Sequence, residues 1–344
     1  MRATYNSCMR SLRPGTVTLW VWIWLLPAAA GLPVPVQQEQ YRERQVLDPE
    51  ADEWVEQPPQ TQPGPVDALD EARRLLASGE ARRAQKLLKR WTKEHADHER
   101  YLEGMYLLGE AEFERRRYYQ AFEAYEVVAE GSAGELFYKA LRREMDVARA
   151  FLSGEKRIIW KFLRIPAYDD GIEILDRVWE RVPGTRLGEV ALKLKADYYF
   201  GVGEVDLAQD EYVNLTREYP SGRYVQLAML RAAEAAAAAF PGIRFDDRPL
   251  LDAQVRYQRM QETFPTYAQR ERVADRLDGI RQQRAEKDLD IARWYERTGR
   301  AGAAEFYYRL VLKDWPDTLA AGEARRSLRA LGVALPAEEK EAEQ

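Results

Sequence analysis

The chain is nearly devoid of the residues that build metal and redox centres: among 344 residues there is one cysteine, Cys8, and there are two histidines, His95 and His98. A single thiol excludes an intramolecular disulfide framework and any zinc cage of cysteines. The histidines could share a helical face, but no third ligand of obvious kind stands near them, so they read as surface residues at a helix end. No glycine-rich phosphate loop, zinc-protease histidine pair, nucleophile elbow or dinucleotide fingerprint occurs. Gly201-Val202-Gly203 is an interhelix turn rather than a nucleotide motif. Catalytic residues, metal and cofactor are therefore each expected to be none. Excess positive charge is missing too: 52 Lys and Arg against 57 Asp and Glu give −5, which removes the footprint of nucleic-acid binding.

What is present first is an export signal. Arg2, Arg10 and Arg13 precede an uncharged apolar run from Val17 to Leu26, followed by the small residues Ala28, Ala29, Ala30 and Gly31. Residues 1–30 are read as a signal peptide, an uncleaved anchor being the other reading; a run of about ten residues is short for a span. Cys8 precedes that run, so it cannot be a lipid-modified cysteine following a signal.

Residues 31–65 are rich in Pro and Gln without apolar periodicity, and are read as an extended or disordered linker carrying an isolated Trp54. Residues 333–344 form an acidic tail, read as disordered and solvated.

Between these, four stops of one chemical type recur: Val182-Pro183, Tyr219-Pro220, Phe264-Pro265 and Trp315-Pro316. Twelve residues before each proline stands a small residue, namely Gly171, Ala208, Ala253 or Ala304. Eight before it stands a large one, Leu175, Tyr212, Tyr257 or Tyr308. The small residue lets two helices approach and the large one fills the same face one turn later. Proline then ends the helix. Ala196 with Tyr199, Ala292 with Tyr295, and Leu108-Gly109 before Ala121 and Tyr125 extend the pattern. This resembles the tetratricopeptide repeat. The expected fold is all-α: a helix-hairpin solenoid over residues 66–332, of five to six pairs, with a capping helix Leu319–Leu331.

Uneven spacing of the stops predicts insertions at 155–168 and 240–249, and a long first helix in the last unit, from near Tyr267 to Arg297. The first insertion is expected to be a basic amphipathic helix with Arg157, Lys161 and Arg164 on one face, beside Ile158, Phe162 and Ile165. Together with Trp160 these residues are candidates for contact with an anionic membrane or a partner's groove, unless the apolar face packs back on the solenoid. Asp169-Asp170 and Asp246-Asp247 are read as helix caps rather than acid–base pairs. In the doubled aromatics Tyr118-Tyr119, Tyr198-Tyr199, Trp294-Tyr295 and Tyr307-Tyr308, one ring is expected to pack and the other is a candidate peptide anchor. Asn214-Leu215-Thr216 lies inside an expected helix and is not read as a glycosylation site.

The run Ala285-Glu286-Lys287-Asp288-Leu289-Asp290-Ile291-Ala292-Arg293-Trp294-Tyr295-Glu296-Arg297, then Ala303-Ala304 and Val311-Leu312-Lys313-Asp314-Trp315-Pro316-Asp317-Thr318, resembles BamD-type outer-membrane protein assembly factors. The resemblance implies a non-catalytic periplasmic scaffold at the inner face of the outer membrane. Its partners would be the periplasmic domains of the barrel-inserting subunit and unfolded outer-membrane protein peptides, with Arg297, Tyr307 and Arg309 toward the subunit. The chain departs from the family in lacking a cysteine after the signal, in the insertion around Trp160, and in carrying Tyr307 where members have an arginine. The repeat pattern alone equally supports a general envelope adaptor, for example in cell division.

Overall fold

All four proline stops close their helices in one backbone geometry. Val182, Tyr219, Phe264 and Trp315 lie at φ −133°, −128°, −134° and −129° with ψ between 49° and 64°. Each still donates its N–H to the carbonyl four residues back, as Tyr219 does to Leu215 at 2.9 Å. The following proline ring disfavours the helical region for the residue before it, which turns the chain out of the helix. After two of the stops a threonine starts the next helix: Thr185 Oγ1 accepts from Gly188 N and Thr318 Oγ1 from Ala321 N.

The structure, a computed structural model, describes residues 45–48, 53–56, 65–159 and 163–333. The chain divides into two units, residues 1–62 and 63–344. In the first, β1 (Gln45–Asp48) pairs antiparallel with β2 (Glu53–Glu56), Leu47 opposite Trp54. The linker expected over 31–65 thus contains a strand pair, because Val46, Leu47, Trp54 and Val55 favour extended pairing.

Among its described residues the second unit is helical apart from one short hairpin. Its helices are α1 (Pro65–Ala77), α2 (Ala81–Glu94), α3 (Tyr101–Glu114), α4 (Tyr118–Gly131), α5 (Gly134–Leu152) and α6 (Tyr168–Arg181). Then come α7 (Arg186–Val202), α8 (Val205–Glu218), α9 (Val225–Ala238), α10 (Arg248–Thr263), the short α11 (Pro265–Arg270), α12 (Val273–Arg297), α13 (Ala301–Asp314) and α14 (Leu319–Ala330). Consecutive helices pack on one another, and six hairpins followed by α14 make the solenoid. Its core is five successive clusters along the stack rather than one centre.

The small–large pattern is the packing code of these clusters. Ala208, Ala253 and Ala304 are fully buried, as are Tyr212, Tyr257, Tyr308 and Leu175. A Cβ on Gly109 would lie 2.7 Å from Cδ1 of the Tyr125 ring, so glycine is what allows α3 and α4 to close there. Within hairpins the turn needs a left-handed residue, supplied by Gly203 at φ 82° after α7.

Two expectations change here. Residues 155–168 do not form a helix: β3 (Lys156–Ile159) pairs antiparallel with β4 (Leu163–Pro166), Arg157 opposite Ile165. Ile158, Ile159 and Ile165 are stiff at χ1 and favour strands, and Pro166 closes a segment too short to hold a helix. The last unit's long helix begins at Val273, not near Tyr267, because Arg272 takes a left-handed conformation (φ 56°) and separates α11 from α12.

Candidate docking surface

The α12–α13 hairpin is drawn together by small residues. Ala292 on α12 and Ala304 on α13 are both fully buried. Beside them the Tyr308 ring is buried and its hydroxyl donates to the Glu296 carboxylate. Burial and that carboxylate raise the Tyr308 hydroxyl above its ordinary pKa, so it stays a neutral donor.

With Tyr308 committed inward, the adjacent positions form a four-ring surface. Tyr295 and Tyr307 stack across the hairpin at 5.2 Å with planes 12° apart. Trp294 meets Tyr295 edge-on at 4.8 Å, and Phe306 meets Tyr307 edge-on at 5.4 Å. Trp294 is 46% and Phe306 61% exposed, while the Arg300 guanidinium lies 5.8 Å from the Trp294 ring. Rigid rings held by one another give an apolar surface with a cation at its border. Such a surface can anchor apolar or aromatic side chains of a peptide at small entropic cost.

Of the residues assigned to partner contact, Tyr307 is inside this cluster. Arg297 is exposed at the end of α12. Arg309 is held by Glu305 at 3.0 Å on its own helix. Sequence reasoning missed Phe306 and Arg300. The run Phe306-Tyr307-Tyr308 carried the signal, since three aromatics in succession cannot all face one core on a helix.

The other candidates are used differently. Arg157 faces the body of the solenoid, bonding Asp170 Oδ1 at 2.9 Å with its guanidinium 3.3 Å over the Tyr119 ring. It therefore pins the hairpin instead of sharing an outer basic face. Arg164 is exposed on β4, and Trp160, Lys161 and Phe162 lie outside the described residues. Tyr118 packs between Phe113 and Phe151, and Tyr198 stacks on Tyr168. Of these acids only Asp246 bonds a free helix amide, accepting from Arg248 N at 3.1 Å, while Asp169 and Asp170 meet the positive end of α6 from within its first turn, after its cap residue Ala167. Asp247 makes no side-chain cap and pairs with Arg284 at 3.0 Å. His95 and His98 cluster with Trp91, His95 stacking on it at 5.0 Å. Among the described residues no group of three His, Cys, Asp or Glu side chains is placed to hold a metal, and no helix is long and apolar enough to cross a membrane.

A family model described as YfiO, outer membrane lipoprotein, matches residues 167–342, just over half the chain and including the whole aromatic surface. No curated protein matches the sequence. Among solved structures, the C-terminal part of a TPR repeat-containing protein from Cytophaga hutchinsonii is 14% identical, with 77% of this chain and 88% of that one covered and a TM-score of 0.38. A TPR repeats protein from Bacteroides fragilis is 10% identical, with 78% and 100% covered and a TM-score of 0.38.

Proposed function

The chain belongs to the YfiO family of outer membrane lipoproteins, and from that premise we propose that it is a non-catalytic periplasmic scaffold for outer-membrane protein assembly. It holds the periplasmic domains of the barrel-inserting subunit, unfolded outer-membrane protein segments, or both, at the inner face of the outer membrane. The observation that carries this reading is the α12–α13 aromatic surface, which lies within the matched segment and leaves Trp294 and Phe306 open. Exposed aromatics supported from behind by stacked rings are what a protein-binding hot spot requires. Arg300 borders it, with Arg297 exposed in the last turn of α12, and such cations add electrostatic selectivity for an acidic partner loop.

The test is binding of the purified chain to the isolated periplasmic domains of the barrel-inserting subunit, with Trp294→Ala and Phe306→Ala compared with wild type. A loss of tenfold or more with unchanged helicity is expected. Equal binding by both variants would remove the aromatic surface from the interface, and no binding by wild type would remove the subunit as partner.

A further inference from the structure

The longest connection within a described helix pair, outside the β3–β4 insertion, runs from Ala239 to Asp247 between α9 and α10. Away from that connection, toward the N-terminal half of α9, lies a groove lined by α8, α9 and α10. α9 packs against both α8 and α10, and its Val225, Met229 and Ala232 form the floor between them. Val213, Thr216 and Arg217 of α8 form one wall; Val255, Arg256 and Arg259 of α10 form the other. The cavity is about 570 Å³. Val255, 61% exposed, opens onto it.

The charge around this apolar floor is one-sided. Three arginines line it against one carboxylate, Asp252, which Arg256 already binds at 2.8 Å. Arg217 leans on its neighbours Glu218 and Asn214 at the exposed rim. The Arg259 guanidinium makes no ion pair with any described residue and is exposed. Arg181 and Arg177, by contrast, are both matched by Glu126. An unmatched cation beside open apolar surface attracts a partner that brings both carboxylates and aliphatic side chains.

We propose that the α8–α9–α10 groove docks an acidic amphipathic helix of a partner protein. Two helices flanking a third leave a trough into which a further helix packs its ridges. The apolar stripe of the incoming helix would lie on Val213, Met229 and Val255, with Glu or Asp on its flanks meeting Arg217, Arg256 and Arg259. This is a second surface, on other helices than the aromatic one, and it stands whether or not the barrel-inserting subunit is the partner there.

The experiment uses the full mature chain and a fluorescein-labelled helical peptide of about 14 residues, with leucines along one face and glutamates beside them. A control peptide carries lysines for the glutamates. The glutamate peptide is expected to bind at least tenfold tighter than the control. Arg256→Glu with Arg259→Glu should abolish that preference, and Val255→Asp should weaken the glutamate peptide with the arginines intact; circular dichroism monitors folding of each variant. Failure of the wild type to prefer the glutamate peptide, or unchanged binding by both variants, would overturn the proposal. So would a tenfold gain on deleting residues 334–344, which would give the groove to the chain's own acidic tail, or concentration-dependent dimerisation abolished by the arginine variants, which would give it to a second copy. Binding to the barrel-inserting subunit is read in parallel through Trp294 and Phe306, so the two proposals fail separately.

Discussion

The Tyr212 hydroxyl donates to Asp197 Oδ1 at 2.7 Å, from the second helix of a pair to the first, fifteen residues upstream. Tyr125 makes the same bond to Glu110 at 2.7 Å, also across fifteen residues, and Tyr308 bonds Glu296. The ring fills the hairpin interior while the hydroxyl ends on a carboxylate at its margin. Burial, reinforced by that carboxylate, pushes each of these tyrosines to a higher pKa, which keeps the donor protonated.

Tyr212→Phe keeps the ring and removes only the bond, and is expected to cost ~1 kcal/mol in urea unfolding. Tyr212→Ala, which opens a cavity beside Ala196 and Ala208, is expected to cost ~3–5 kcal/mol. A Phe variant as damaging as the Ala variant would show that the hydroxyl, not the ring, dominates.

Stability should fall with rising pH through one buried carboxyl. Glu144 is fully buried on α5, neither carboxyl oxygen has a hydrogen-bond partner, and Arg181 stands 3.5 Å away. Burial, then the neighbouring Glu126 carboxylate, raises Glu144 from an ordinary 4.5 to about 8. Glu126 resists the same burial through hydrogen bonds from Arg181 and Arg177, which hold it below its ordinary value. The folded chain thus keeps a proton that the unfolded chain releases, so this group's contribution is complete below about pH 4.5 and is lost as pH approaches 8. The slope is at most ~1.4 kcal/mol per pH unit. Subtracting the Glu144→Gln unfolding profile from that of wild type should isolate it; a flat difference would place Glu144 ionised throughout.

The α3–α4 turn carries Arg116 at φ 54°, where other hairpins carry Gly203 at 82° and Gly299 at 73°. A side chain in the left-handed region costs ~1 kcal/mol, whereas its ion pair with Glu155 at 3.4 Å is exposed and contributes little. Arg116→Gly should therefore stabilise the chain by up to ~1 kcal/mol, measured as a rise in denaturation midpoint. A lower midpoint would mean that the glycine's added freedom in the unfolded chain outweighs the relieved strain.

Much of this was legible because proline, a small residue and a tyrosine at fixed offsets each serve one geometric need. The first units were harder to read. α2 ends at His95 with φ −129° and ψ 43°, the geometry of the proline stops, yet Ala96 follows it instead of proline. A helix end held by a Trp91–His95 stack leaves no proline to count from. At Lys156–Pro166 the basic and apolar residues fit either period, and only the χ1 stiffness of the isoleucines argues for strands over a helix. The aromatic surface was half visible: the doublets drew the eye to Tyr295 and Tyr307, but which ring faces outward is set by Ala292 and Ala304 across the seam, through contacts between helices that no local pattern records.

The division of the core into five successive clusters has a mechanical consequence. Each seam between clusters is a compliant joint whose loosening leaves the others intact. A load applied at the α12–α13 end would be taken up as small bends shared among the seams while each hairpin stays folded.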